Sequence, residues 1–230
     1  MNLRYLHAPL LLAIWQLAPY SVAQDSSGRL SISVGYGAGE YESQTFSCSG
    51  ERLSSTPVDF QAVGVQVDAW PSDRVRLTGF AGSMSTLEYD GPYGGIQLAA
   101  EWETVGLGLG VTSVSGLDGF TAPSFYMRFG RRGSGHLQLD MLSPSPTFGT
   151  TGWMRAGIGF NRGYRQRVNG LFGVALMPYS YLDDPTPRLF GELDIPVRKR
   201  LELSLRGSFR KGVEIPQWAA GAALRFHIGG

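Results

Sequence analysis

The chain has 230 residues, with 20 Lys and Arg against 19 Asp and Glu. That balance offers no basic surface for nucleic acid, and Cys48, the lone cysteine, rules out an internal disulfide. The 32 glycines show no three-residue period, which excludes collagen and suits strands and turns.

Residues 1–23 have the layout of a secretory leader. Arg4 precedes an apolar stretch from Ala8 to Ala18, and the small-residue site Ser21-Val22-Ala23 follows. Pro9, Gln16 and Pro19 interrupt the stretch, which is too short for a membrane helix. Cleavage is expected before Gln24 or Asp25, leaving residues 24–230 as one domain. Removing Arg4 leaves that domain with equal numbers of basic and acidic side chains. No later run approaches the ~20 apolar residues of a spanning helix. A membrane crossing would therefore need a closed barrel, which also satisfies every backbone group in lipid.

Beyond the leader the dominant period is two. Leu30, Ile32, Val34, Tyr36 and Ala38 alternate with Ser31, Ser33, Gly35 and Gly37. The alternation returns in Val105–Val111, Leu137–Met141, Met154–Phe160, Leu201–Leu205 and Trp218–Ile228. Such alternation puts one set of side chains on each face of a strand. About twelve segments can be counted, with ten as the lower figure, most of them about 9–13 residues long; a tilted strand needs ~9–11 to cross a bilayer. The third slips phase at Phe80, and the ninth is apolar on both faces.

Long and short gaps alternate between these segments. Residues 43–57, 86–93, 114–120, 143–151 and 179–186 form the longer connections, with tight ones near Pro71, Thr104, Arg131 to Gly133, Gly163 and Lys199. Short periplasmic turns and longer outer loops have this asymmetry. Around Trp70-Pro71-Ser72 a hairpin would set Val67 opposite Val75 and Val65 opposite Leu77, with Asp68 facing Arg74 and Gln66 facing Arg76. Trp70, Trp102, Trp153 and Trp218 all fall at or near strand ends, as an interfacial aromatic girdle requires.

With these features the chain resembles the bacterial outer-membrane β-barrel class. The fold expected is all-β: an antiparallel up-and-down transmembrane barrel following a cleaved leader. The resemblance implies residence in the outer membrane, with its lipids and the barrel assembly machinery as partners. Small solutes join them if the lumen is open. The last strand, Trp218 to Ile228, has the alternation the class uses and carries Phe226 near its end. No cofactor or nucleic-acid partner is expected.

The face opposite the apolar one carries Asp68, Arg74, Arg76, Glu101, Glu103, Arg128, His136, Asp140, Arg155, Glu192, Arg206 and Arg225 as expected lumen residues. Polar-in and apolar-out is the arrangement of a membrane barrel. Catalytic arrangements on this face are weak. Ser134, His136 and Asp140 share one strand, where a four-residue separation is about 13 Å, beyond hydrogen-bond reach. His136 and His227 both fall at the proposed periplasmic end, away from the outer leaflet where a lipase or lipid A deacylase would work. The carboxylate pairs Glu101/Glu103 and Glu192/Asp194 have spacings near the lower end of glycosidase geometry, but Glu192 opposite Arg206 reads as a salt bridge. Two isolated histidines make no metal site. The expectation is a non-enzymatic barrel, either a small-solute pore or a structural or surface protein. The alternatives are a lipid-modifying barrel enzyme and a secreted soluble all-β binding protein.

Overall fold

A computed structural model of the chain describes residues 30–46, 48–49, 52–86, 90–115, 120–131, 135–147, 154–162, 168–176, 187–211 and 217–228. The leader expected over residues 1–23 and the girdle residue Trp153 lie outside the described residues, as does Ser134.

Twelve strands follow one another. They are β1 (Leu30–Phe46), β2 (Arg52–Ser72), β3 (Val75–Thr86), β4 (Asp90–Glu101), β5 (Val105–Val114) and β6 (Phe120–Arg131), then β7 (Gly135–Met141), β8 (Met154–Arg162), β9 (Val168–Leu176), β10 (Arg188–Arg198), β11 (Leu201–Arg210) and β12 (Gln217–Ile228). Each pairs antiparallel with its sequence neighbours, and β1 closes on β12 with Leu30 opposite Ile228. Closure of β1 on β12 removes the two free edge strands that an open sheet would have. Both described ends of the chain meet at one rim, together with the turns that follow the even-numbered strands. This is the turn rim, and the connections after odd-numbered strands make up the loop rim.

Alternation along each strand decides what faces outward. Leu98, Leu109, Ile158, Leu189, Phe172 and Leu224 point out, and Leu109 and Ile158 are 69% exposed. Their inward neighbours Gln97, Thr112 and Gly157 are buried. The exposed apolar side chains recur on every strand from β1 to β12 except β7's short span, where Leu137 alone continues the belt. A soluble monomer rarely leaves so large an apolar surface uncovered, which goes against the secreted soluble alternative.

Two sequence expectations need correction. The β2–β3 hairpin pairs Ala69 with Leu77 and Asp68 with Thr78, and its register shifts between Ala69 and Ser72. Strand β2 runs on through Pro71, whose missing N–H is tolerated at a bulged strand end. The reversal therefore falls on Asp73 and Arg74, not on Trp70-Pro71-Ser72. The expected Asp68–Arg74 and Gln66–Arg76 pairs do not form; Gln66, Asp68 and Arg76 keep their face because the displacement is even, whereas Arg74 falls in the turn. The first long connection is also shorter than expected, since β1 and β2 extend as a paired ribbon to Phe46 and Arg52. On the opposite wall the expected register is found: β10 and β11 set Glu192 opposite Arg206.

Candidate functional site

The barrel's inside is its only enclosed surface among the described residues, and three ion-pair groups line the wall. Near the turn rim, Arg128 is 1% exposed and donates to Glu101 Oε2 at 3.1 Å and to the Trp102 carbonyl at 2.7 Å. Arg76 reaches the other oxygen of Glu101 at 3.7 Å, with its guanidinium 5.5 Å above the Tyr126 ring. On the neighbouring arc, Arg225 donates to Glu202 Oε1 at 2.7 Å and to Ser33 Oγ at 3.1 Å. Asp68 accepts from Thr78 Oγ1 at 2.6 Å and from the Gln66 amide. The third group lies at mid-height, where Arg155 Nε donates to Asp140 Oδ1 at 2.6 Å and its Nη1 pairs with Glu192. Gln138 also donates to Asp140, at 2.8 Å. Strand β9 lies between Arg155 and Glu192, and Gly173 contributes no side chain there to block the reach.

Of the expected lumen residues, Asp68, Arg76, Glu101, Arg128, His136, Asp140, Arg155, Glu192, Arg206 and Arg225 face inward on strands. Arg74 and Glu103 do not. Arg74 sits in the β2–β3 turn, and Glu103 in the β4–β5 turn pairs with Arg131 in open solvent. Both strands reverse earlier or later than the alternation alone implies. Glu192 is held by Arg155, and its register neighbour Arg206 instead donates to Ser145 Oγ at 2.6 Å. Asp194 accepts from Ser204 at 2.6 Å. His136 lies opposite Gly130 and His227 donates its backbone N–H to Arg200, so both imidazoles belong to the turn rim. Trp70 and Trp102 are at the turn rim, while Trp218 stands on the outer face near the loop rim.

The lumen also contains what the alternation did not show. Phe80 is not a phase slip; it faces inward and joins Ala62, Met84, Tyr93, Val114 and Leu142 in an apolar cluster on the β2–β6 side. Leu171 likewise turns inward against Phe190. These two parts of the interior are thus packed like a core.

The chief surprise is the β7–β8 connection. Residues 143–151 were expected to form an outer loop, yet Leu142, Ser145, Pro146 and Thr147 are buried. The chain leaves β7 through Leu142, whose φ of 51° is left-handed and disfavoured for a branched side chain. It then crosses the lumen. Thr112 Oγ1 on β5 donates to the Leu142 carbonyl at 2.9 Å, and Tyr93 Oη on β4 donates to the Pro146 carbonyl at 3.3 Å. Arg206 on β11 holds Ser145. At the far wall glycines make room: a Cβ at Gly35 would lie 2.8 Å from Thr147 Cγ2, and one at Gly64 would lie 3.0 Å from the Pro146 carbonyl oxygen. Residues Leu142–Thr147 thus touch β1, β2, β4, β5 and β11, forming a plug at mid-height. The sequence signal available was the stretch Ser143-Pro144-Ser145-Pro146: small residues and two missing N–H donors, which lower the cost of burying a loop.

No protein-family model and no curated protein matches the chain. Solved structures do. The β domain of the Bordetella autotransporter BrkA superposes with a TM-score of 0.50 at 12% identity, covering 86% of this chain and 98% of its own. The translocator domain of the autotransporter NalP from Neisseria meningitidis gives 0.47 at 11% identity, over 96% and 94% of the two chains. The N-terminal β-barrel domain of Pseudomonas aeruginosa OprF gives 0.27 at 12% identity, over 85% and 96%. At such identities the BrkA likeness speaks to fold alone: the chain has the fold of a bacterial outer-membrane β-barrel.

Proposed function

We propose that the protein is a non-enzymatic barrel of the bacterial outer membrane, shut at mid-height, with a structural or surface role rather than that of an open diffusion channel. The observation that carries this is the seat of Leu142–Thr147 across the lumen, tied to opposite walls by Thr112, Tyr93 and Arg206. The exposed apolar belt supplies the contact with membrane lipid. By the usual asymmetry of the class, the turn rim faces the periplasm and the loop rim the outside. The carboxylates a barrel enzyme would use are engaged: Glu101 by Arg128, Glu192 by Arg155 and Asp194 by Ser204. Both imidazoles lie at the rim away from the outer leaflet.

A gated small-solute pore is the second reading. One observation favours it: the closure is made by a loop that leaves β7 through a strained residue, Leu142, and not by the wall itself. Planar-bilayer current separates the two. An occluded barrel shows no steady conductance, and shortening residues 143–147 to a Gly-Gly link produces discrete steps. Rare brief openings of the wild type would favour the gated reading, and a steady wild-type current equal to that of the shortened variant would sink occlusion.

A further inference from the structure

Above the plug, the wall of β10 and β11 carries a feature the ion-pair groups do not absorb. The register that pairs Leu189 with Phe209 sets Arg188 directly opposite Arg210, both facing the lumen at the loop rim. Arg188 is 2% exposed and donates to Ser208 Oγ at 3.4 Å and to Gln217 Oε1 at 2.7 Å. Arg210 makes no ion pair with any described residue, and its Nε is buried without a hydrogen-bond partner. Arg206, on the same face of β11, gives its Nη1 to Ser145 of the plug, and its Nε is likewise buried and unmatched.

Like charges directly opposite on one sheet face repel. A guanidinium cannot escape by losing its proton. Elsewhere in the lumen arginines meet acids: Arg128 with Glu101, Arg155 with Asp140 and Glu192, Arg225 with Glu202. Arg210 has no such acid among the described residues, and its Nε and that of Arg206 are donors still to be matched. Guanidinium forks match the oxygens of an oxyanion, and rings of arginine are what anion-selective passages use.

We propose that Arg210 and Arg206, with the Ser145 hydroxyl at the floor and Arg188 at the wall, form a binding site for a small tetrahedral oxyanion of the phosphate class, entered from the loop rim. The site takes its anion whether or not the barrel conducts, because it lies on the loop side of the plug. Occupation also sets the charge met by any solute approaching from that rim.

Folded full-length protein in detergent, titrated with inorganic phosphate by calorimetry, tests this. Wild type is expected to show one saturable site that sulfate displaces. Arg210→Gln weakens it by about tenfold or more, the share of one charge-assisted contact, whereas Arg131→Gln at the turn rim leaves it unchanged. Arg210→Lys, which keeps the charge and loses the fork, falls between. Should Arg206→Gln fail to fold, the Arg210 variants still decide. Wild type that binds no phosphate overturns the proposal. Equal loss in Arg131→Gln and Arg210→Gln, the mark of adventitious attraction, overturns it too. Because no current is measured, a conducting barrel that binds phosphate would refute occlusion and leave the site standing.

Discussion

Two regions of the lumen are stabilised by different physics. Across β2 to β6, Ala62, Phe80, Met84, Tyr93 and Val114 pack around Leu142 with no charge at their centre. Across β7 to β12, Arg155 joins Asp140 and Glu192, and Arg225 joins Glu202. The plug bridges the two regimes. Leu142 belongs to the apolar cluster, while Ser145 three residues later is held by Arg206. Burial on one side is insensitive to salt, whereas a charged network depends on every member being present. A barrel this full behaves as a protein interior with a membrane-facing skin.

The largest expected effect comes from breaking the charged side. Arg155→Met strands Asp140 and Glu192 in the wall, and loss of one partner from a buried ion pair costs about 3–5 kcal/mol. The urea midpoint of unfolding, read by heat-modifiability on gels, should fall accordingly and recover in part when Asp140→Asn is added. Failure of the second substitution to help would mean that Asp140 carries no buried charge. On the apolar side, Met84→Ala should cost about 2–5 kcal/mol through lost burial and a residual cavity. Its effect should be the same at low and high salt, and a salt-dependent loss would erase the contrast between the two sides.

A smaller effect is expected where the plug meets the wall. Gly64→Val forces side-chain atoms towards Tyr93 and Pro146, and overpacking of this kind costs about 1–3 kcal/mol. If the plug yields instead of the wall, stability is kept and conductance appears. The smallest effect belongs to Glu103→Ala. Its pair with Arg131 is exposed on both sides, and such pairs contribute about 0–1 kcal/mol. A measurable drop there would show that the turn rim is more tightly coupled than its exposure suggests.

Strands were the legible part of this molecule, because a period of two survives in most wall segments whatever the neighbours are. Register was legible where the turn is short, as for Glu192 opposite Arg206. It was not where Pro71 and a bulge lengthen the strand end. The candidate site was legible only as a set of inward-facing charges. Which charges pair depends on closure: Arg155 reaches Glu192 over an intervening strand, a relation no single hairpin contains. The inward Phe80 looked like broken alternation, since an apolar cluster inside the lumen breaks the rule that polar residues point inward. The plug was least legible of all. Ser143 to Pro146 has no apolar period, and its burial comes from hydrogen-bond partners on β4, β5 and β11, far away in sequence.

Cross-linking the plug to the wall tests the occlusion most directly. In a Cys48→Ser background, Gly35→Cys and Thr147→Cys would bring two thiols within disulfide range, since a Cβ at Gly35 lies 2.8 Å from Thr147 Cγ2. The account predicts that the folded barrel forms this bond on mild oxidation, as readily as a control pair of cysteines introduced at the register neighbours Val34 and Leu224. A control pair that forms while the thiols introduced at Gly35 and Thr147 stay free would place the plug outside the lumen and contradict the closed barrel.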